Sequence, residues 1–281
     1  MGMRQAGMRA GAALAVLALA CVWAGCAGPG SRSEAGAKAQ PPAAPGAGQG
    51  LTLDLGGGVT MALAAIPPGR FMMGSPDSEE GREKEEGPRH EITISKPFYM
   101  SATEVTEAQY AAVMGIAPGG GKAAAKPVTG VSWQDAAAFC KKLSEKTGKA
   151  VRLPTEAEWE YACRAGSQAR FSFGDADSGL SEYAWYGANS GLGTHPAGQK
   201  KSNAWGLYDM HGNVGEWCAD WFGPYPAGPV TDPQGPASGK ERVVRGGSWY
   251  YSADGCRAAN RIRFAPGDGF PCIGFRVAVG G

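Results

Sequence analysis

The side chains that could perform nucleophilic or metal chemistry are few in this sequence. The histidines are His90, His195 and His211, and they are scattered, with no metal-binding spacing such as His-x-x-x-His. We expect each of them to serve as a capping or hydrogen-bonding residue. Five of the seven cysteines follow the apolar N-terminal segment, at positions 140, 163, 218, 256 and 272. Because this number is odd, at least one thiol stays unpaired within the chain, and the pairing of the others is open.

An aromatic and glycine-rich segment near the C-terminus could bind a ligand. Tyr and Trp give contact area at low entropic cost, and small neighbours let such a surface adapt to its ligand. The candidate contact residues are Trp249, Tyr250, Tyr251, Asp254, Phe264, Asp268 and Phe270. The alternative is that these aromatic side chains fill the core. Both alternatives stay open for each residue.

Three amphipathic helices would position these loops. Their predicted ranges are 106–114, 132–147 and 155–165. Ser132 is followed three positions later by Asp135, which is close to a capping box, and Gly148 ends that helix. Cys140 and Cys163 fall on core-facing positions of the second and third helices, where thiols are usually inert.

Short strands are predicted at 59–66, 70–73 and 90–95, with a Pro-Pro-Gly turn between the first two. Residues 78–86 are dense in charge, and we expect a solvated loop there. After Gly166 the helical periodicity disappears. The last third must therefore satisfy its backbone groups through turns, side chains or a bound ion.

The first 25 residues have the features of an export signal. Arg4 and Arg9 precede an apolar run over 11–25 that is too short to span a bilayer comfortably. Small residues then precede Cys26, which resembles a lipoprotein processing site; Cys21 is the weaker alternative, and plain secretion or an uncleaved anchor are the others. Residues 26–58 are rich in Gly, Ala and Pro, and we expect them to form a flexible tether.

Composition narrows the class of protein. The chain has 27 Lys and Arg against 26 Asp and Glu, so a nucleic-acid partner bound through bulk positive charge is not expected. Hydrophobic residues make up 43 %, which is enough for a folded core. The 45 Gly and 20 Pro favour a loop-rich fold over a helical bundle, because both residues interrupt regular elements.

A series of short motifs occurs in order along residues 59–279. They are Phe71-Met-Met-Gly-Ser75, Thr103-Glu-Val-Thr106, Val131-Ser-Trp133, Arg152-Leu-Pro-Thr-Glu-Ala-Glu-Trp-Glu-Tyr161, Gly206-Leu-Tyr-Asp-Met-His-Gly-Asn213, Glu216-Trp217, Arg245-Gly-Gly-Ser-Trp249 and Gly274-Phe-Arg276. As a set they resemble the formylglycine-generating enzyme, or sulfatase-modifying factor, family. The resemblance implies an irregular α+β fold of the C-type-lectin-like type, with little regular secondary structure and with bound calcium.

The resemblance places a calcium site near a Gly-Asn turn. In the family a side chain, turn carbonyls and the following Glu hold the ion, and the matching positions here are Asp209, Gly212, Val214 and Glu216. Carboxylates and turn carbonyls are the hard oxygen ligands that calcium prefers. The alternative is that Asp209 caps the turn and Glu216 pairs with an arginine.

The resemblance also implies an oxidase as one alternative function. Family oxidases convert a substrate Cys to formylglycine with oxygen and copper held by two cysteines, and two thiolates suit Cu(I). Here Tyr251 stands at the first of these positions, and only Cys256 remains. Cys272 could supply a second sulfur, although a Cys256–Cys272 disulfide is the more usual outcome in an exported domain. Ser248 would contact the active centre of an oxidase; otherwise its hydroxyl closes the Gly-Gly turn.

The C-terminal segment has an unusual amino-acid composition. Residues 250–273 contain no Lys, Glu, Gln, Met or Trp, which codons ending in a pyrimidine cannot encode. This set is what remains when adenines of template Asn codons are randomised, as in the variable proteins of diversity-generating retroelements, which resemble this chain in fold. The segment is therefore a candidate for genetic diversification.

Together these observations predict an exported, lipid-anchored protein on the periplasmic or cell-surface side. Its domain over 59–281 would be a sulfatase-modifying factor-like, calcium-stabilised module that binds a protein or small-molecule ligand. The alternative is a formylglycine-generating oxidase, which would need copper.

Overall fold

The computed structural model describes residues 49–116 and 123–280. The predicted signal, Cys21, Cys26 and most of the predicted tether lie outside the described residues. In chain order the strands are β1 (Leu51–Gly56), β2 (Val59–Ile66), β3 (Gly69–Met73), β4 (His90–Ile94), β5 (Phe98–Ser101), β6 (Val151–Arg152), β7 (Gly215–Trp221), β8 (Val230–Thr231), β9 (Arg242–Arg245), β10 (Arg261–Phe264), β11 (Ile273–Gly274) and β12 (Ala278–Gly280). The helices are α1 (Glu107–Met114), α2 (Trp133–Thr147), α3 (Glu156–Arg164) and α4 (Leu180–Tyr183).

The largest sheet joins the two ends of the described domain. Its order is β1-β2-β5-β12-β6, and every pair in it is antiparallel. Strand β12 lies between β5 and β6, so the last strand of the chain closes the sheet that β1 begins. Helices α1 and α2 pack on this sheet, and the aromatic contacts of Phe139 with Tyr110 and Phe275 hold the core between them.

Strand β1 corrects the predicted tether. Residues 51–56 pair with β2 in a hairpin, with Leu53 and Leu55 buried while Thr52 and Asp54 point to solvent. The alternation of leucines is a strand signal of period two that the surrounding Gly and Ala concealed. The ordered domain therefore begins by Leu51 rather than at residue 59.

The two smaller sheets carry the loops of the last third. One has the order β10-β9-β7-β11, with β11 parallel to β7, and the other has the order β3-β4-β8, with β8 parallel to β4. Strands β2, β3 and β4 confirm the predicted strands. Strand β5 and the strands after residue 166 have no predicted counterpart, because most are too short to show a periodicity.

The predicted helices are confirmed, together with the predicted cap at Ser132. The side chains of Thr106, Ser132 and Thr155 each accept a hydrogen bond from the backbone N–H of the third residue of the following helix. Each helix starts one residue after its cap. Helix α2 buries its predicted face through Phe139, Cys140 and neighbours and ends at Gly148, whose φ of 67° is left-handed. The mixture of short helices and irregular sheets agrees with the predicted α+β class.

Helix α3 differs from the prediction in its burial. The sequence predicts one core-facing side with Trp159 and Cys163, whereas all nine residues of the helix are buried, its three glutamates included. None of the helices in the described ranges has the length and apolar character needed to cross a bilayer.

Candidate functional site

Helix α3 anchors the turn that follows β9. Arg245 is fully buried and pairs with Glu160 of α3, and its guanidinium also donates to the carbonyls of Ala258 (3.0 Å) and Ala259 (2.8 Å). The next two residues, Gly246 and Gly247, have φ of 97° and 67°, which side chains with a Cβ rarely adopt. One arginine thus fixes both the Gly-Gly turn and the segment after Cys256.

The charge-dense segment 78–86 is exposed over most of its length, as predicted, but the side chains of Glu79 and Glu86 are buried against an arginine of the C-terminal loop. Arg257 is fully buried and donates to Glu79 (2.7 Å) and to both carboxylate oxygens of Glu86 (2.6 and 2.8 Å). Burial alone would raise the pKa of Glu86, but the hydrogen bonds from Arg257 and Ser75 bring the pKa below its usual value. The segment is therefore docked on the C-terminal loop by a desolvated ion pair, with partners 171 residues apart.

Asp254 forms a second link in the same place. Its carboxylate accepts from Arg170 at 2.9 Å, and Arg170 also contacts Asp177 at 3.0 Å. Gly81, with φ of 75°, approaches Asp254 so closely that a Cβ at this position would collide with the carboxylate. A side chain larger than hydrogen at residue 81 would therefore push the two segments apart.

Between these segments lies a cavity of about 480 Å³, which we call the loop pocket. Residues 81–83 form one wall, and residues of the C-terminal loop form the other. The loop-pocket residues are Gly81, Arg82, Glu83, Tyr251, Ser252, Asp254, Gly255, Asn260 and Ile262. The lining contains both signs of charge and one aromatic ring, so the pocket suits a polar ligand.

The structure separates the predicted contact residues into two groups. Tyr251 and Asp254 line the loop pocket. Tyr250 follows Trp249 on the surface and is 67 % exposed. The Trp249 indole donates to the carbonyl of Pro271 at 3.2 Å, and its ring packs edge-on against Tyr250.

The other predicted contacts lie away from the loop pocket. The rings of Phe264 and Phe270 are 4.6 Å apart and pack against the main core beside Trp217. Asp268 lies in a turn, where its backbone N–H donates to Ala265. For the two phenylalanines the structure agrees with the core-filling alternative.

Cys256 is a buried thiol beneath the loop. It packs with Phe171, Leu180 and Ala184, and burial raises its pKa to about 12. The Ser248 hydroxyl accepts from the Tyr250 N–H at 3.2 Å, which closes the turn after the two glycines. With Tyr251 at the other family position, these two positions carry one thiol, whereas the family oxidases hold Cu(I) with two.

The cysteines of the described residues are all unpaired, so the expected Cys256–Cys272 disulfide is not formed. Cys256 points into the apolar cluster around Phe171, whereas Cys272 is half-buried. Cys140 and Cys163 are buried on helix faces as predicted, and burial raises the pKa of each to about 12. Inert protonated thiols are the expected consequence.

The histidines form hydrogen bonds, as expected from their scattered positions. His211 is buried, and because Ser172 N–H donates to its Nε2 (3.0 Å), its Nδ1–H donates to the carbonyl of Cys256 (2.9 Å). Burial lowers the pKa of His211 to about 4. His90 and His195 contact the carbonyls of Pro88 and Ser190.

The predicted calcium positions adopt a tight turn. Asp209 is buried with φ of 60°; its Oδ2 accepts from Gly198 N–H at 2.6 Å, while its Oδ1 has no hydrogen-bond partner. Glu216 is bound by Arg276, with distances of 2.6 and 2.7 Å, and by the Trp159 indole at 2.7 Å. The arginine pairing of Glu216 is the alternative that the sequence left open.

Side chains alone do not complete a metal site in the described ranges. No three His, Cys, Asp or Glu side chains there are arranged to hold an ion. Turn carbonyls such as those of Gly212 and Val214 would have to contribute. The unpartnered Asp209 Oδ1 is a hard oxygen of the kind that calcium binds, so the donor chemistry fits.

A second cavity was not signalled by any sequence motif. Its volume is about 560 Å³, and its mostly apolar wall of prolines surrounds Asp220, Tyr225 and Arg261. Burial, followed by the nearby Glu156 charge, raises the pKa of Asp220 to about 7. The composition of this cavity suggests no particular ligand.

Comparisons with known proteins cover nearly all of the described domain. Residues 59–280 match the family described as sulfatase-modifying factor enzyme 1-like domain. The formylglycine-generating enzyme of Streptomyces coelicolor is 32 % identical over 287 residues, with 78 % of this chain and 89 % of that enzyme covered.

Two solved structures have the same fold. Treponema denticola variable protein 1 is 33 % identical, with a TM-score of 0.75 and coverage of 82 % of this chain and 98 % of its own. PvdO from Pseudomonas aeruginosa is 36 % identical, with a TM-score of 0.71 and coverage of 78 % and 94 %. These matches confirm the predicted irregular C-type-lectin-like architecture.

Proposed function

The chain belongs to the sulfatase-modifying factor enzyme 1-like domain family, and we propose that its domain is a binding module that uses the loop pocket. The observation that carries this proposal is the state of the oxidase positions. Tyr251 lines the pocket where a copper cysteine would be, and Cys256 is a buried neutral thiol beneath it. What remains is a pocket on a rigid scaffold, which is a common basis for binding.

Ion pairs hold the walls of the loop pocket in one arrangement. The Arg257 pairs with Glu79 and Glu86 join its two walls, and the Arg170–Asp254 pair holds the C-terminal wall against the segment that follows α3. A preorganised site loses less conformational entropy on binding. Arg82, Glu83 and Asp254 present charges of both signs beside Tyr251, so we propose a polar ligand, such as a protein loop or a polar small molecule.

Genetic diversification of the loop forms part of the proposal. The similarity to Treponema denticola variable protein 1 supports it. Residues Cys256 to Arg261 are buried, whereas Tyr250 and Ser252 are exposed, so these two exposed positions are the ones that tolerate change. A near-identical downstream repeat and a neighbouring reverse transcriptase gene would support diversification, and their absence would refute it.

We also propose that calcium stabilises the turn at Asp209, Gly212 and Val214. The support is the buried, unpartnered Oδ1 of Asp209 and the hard-oxygen chemistry of the turn. When bound, the ion would offset the carboxylate charge and hold the turn that leads into β7. Export and a lipid anchor at Cys26 remain part of the proposal on the sequence features given above.

The rival function is tested with a substrate peptide. The full-length protein in detergent, Cu(I), reductant and oxygen are incubated with a Cys-x-Pro-x-Arg peptide, and the peptide mass is measured. We expect an unchanged Cys while the Streptomyces coelicolor enzyme converts the peptide in parallel. Conversion to formylglycine that disappears in Cys256→Ser would establish an oxidase and overturn the binding proposal.

Binding is tested with a displayed library of random peptides selected against the full-length protein. We expect selected peptides to lose about tenfold or more in affinity for Tyr251→Ala, because a contact aromatic at the centre of a site carries much of the binding energy. Ile116→Ala, which shortens an exposed apolar side chain outside the loop pocket, is the control. Peptides that bind all three proteins equally would place the binding surface elsewhere.

A further inference from the structure

Glu104 is a buried carboxyl group that lies beside Asp209 and Glu216, and burial followed by these two charges raises its pKa well above the usual value. It lies in the Thr103-Glu-Val-Thr106 segment between β5 and α1, and its exposure is 0 %. Neither carboxylate oxygen has a hydrogen-bond partner in the described part of the chain. Without a cation beside it the group would stay protonated, because an ionised carboxylate buried without a partner is strongly disfavoured.

The Glu104 segment adjoins the Asp209 turn. The Tyr208 N–H donates to the carbonyl of Ala102 at 2.8 Å. Arg276 spans the same two segments, since its guanidinium donates to the carbonyls of Ser101 (3.0 Å) and Tyr208 (2.9 Å). Asp209, directly after Tyr208, has the other unpartnered carboxylate oxygen of this region.

The charges of this cluster do not balance. Glu104, Asp209 and Glu216 are all buried, and Arg276 is the cation that reaches them. Arg276 and the Trp159 indole already occupy three of the acceptor positions on Glu216. Arg276 offsets one of these charges, and the carboxyl groups of Glu104 and Asp209 face each other. A hard divalent cation between them would take the place of a shared proton and pair with both carboxylates.

We propose that Glu104 supplies the second carboxylate of the calcium site, facing Asp209 Oδ1, and that Glu216 stays bound to Arg276 and Trp159. This inference rests on the calcium part of the proposed function and changes its ligand set. Glu104 brings the segment before α1 to the ion, and the turn before β7 supplies Asp209. The ion thereby joins two parts of the chain that are more than a hundred residues apart.

Calcium titration of the metal-stripped full-length protein tests the assignment. Calcium affinity is measured by calorimetry, and the calcium-dependent rise in melting temperature is measured in parallel. We expect Glu104→Gln and Asp209→Asn each to weaken calcium binding about tenfold or more, since ligand charge sets the affinity of such sites. Glu145→Gln, on the exposed face of α2, is the control and should bind as the wild type does.

The outcomes separate the two proposals. If the wild type binds calcium and Asp209→Asn weakens binding while Glu104→Gln does not, the Glu104 assignment is wrong and the calcium site stands. If the wild type does not bind calcium, both are wrong. If Glu104→Gln fails to fold without calcium, Glu104→Asp is titrated instead, and its shorter carboxylate should give the same loss of affinity.

Discussion

Single buried arginines determine how the loops of this domain are held. Arg257 is fully enclosed and is bound by Glu79 and Glu86, whose side chains are 4 % and 0 % exposed. A pair of this kind contributes little net stability compared with apolar residues of the same shape, but the loss of one partner leaves the other as a buried charge. The arginine therefore acts mainly by fixing one arrangement of the two segments.

Replacing Arg257 with Met should destabilise the protein by about 3–5 kcal/mol, because Glu79 and Glu86 would remain buried without a cation. Denaturant unfolding of the full-length protein measures the change. Arg263→Met is the matched control, since Arg263 is 41 % exposed and its pair with Glu241 should contribute about 1 kcal/mol or less. Equal effects of the two variants would contradict the role assigned to burial.

Asp220 should make stability depend on pH in the direction opposite to that of a salt-bridged acid. Its pKa in the folded state is about 7, raised by burial and by the charges of Glu156 and Glu158, against the smaller lowering by the Glu156 N–H hydrogen bond and by Arg261. Between about pH 4 and about pH 7 the folded state holds a proton that the unfolded state has released, so this contribution to stability decreases as pH rises.

The variant Asp220→Asn isolates this effect. The difference in unfolding free energy, wild type minus variant, should fall between about pH 4 and about pH 7, by up to about 1.4 kcal/mol per pH unit. Asp77→Asn is the control, because the Asp77 side chain is 97 % exposed. If the difference between wild type and Asp220→Asn does not change with pH, the pKa of Asp220 is not raised in the folded state.

At the scale of elements, contacts between residues near each other in the chain could be predicted from the sequence, whereas contacts between distant segments could not. The caps Thr106, Ser132 and Thr155 act within three residues, so the helix starts followed from the sequence. The partners of Arg257 lie 171 residues or more away, and no periodicity indicates them. For the same reason the sequence predicts the exposure of segment 78–86 but not the buried contacts of its Glu79 and Glu86 with Arg257.

The candidate site follows the same division. Asp209 could be predicted because a family motif contains it, and Tyr251 and Asp254 because they lie in an aromatic, glycine-rich segment. The core positions of Phe264 and Phe270 and the unpartnered carboxylate of Glu104 depend on which segments meet in space. An acidic residue in an ordinary-looking segment gives no sign that it is buried.

Strand β1 provides a test at this scale. Leu55 is completely buried, so Leu55→Ala in the full-length protein should cost about 2–5 kcal/mol. Thr52→Ala, on the exposed face of the same strand, should change stability by about 0.5 kcal/mol or less. Thermal and denaturant unfolding measure both changes. If Leu55→Ala leaves the stability unchanged, residues 51–58 belong to the tether and not to the ordered domain.

At the scale of the whole molecule, the expected lipid attachment decides where the domain works. We expect Cys26→Ser to release the protein from the membrane fraction, because one cysteine carries the acyl anchor. Cys21→Ser is the matched control and should leave the protein membrane-bound. Mass spectrometry of the mature N-terminus identifies the acylated residue, and an unmodified chain that starts beyond Cys26 would indicate plain secretion.

The C-terminal loop contains buried residues that hold the fold and solvent-facing residues that are free to contact a ligand. Arg257 and Arg261 are buried in ion pairs with Glu86 and Glu156, while Tyr250 and Ser252 face solvent. Selection for a new ligand can therefore act on the solvent-facing positions without being opposed by selection for folding. A lineage carrying this domain could change what it recognises many times over while its melting temperature stayed nearly constant.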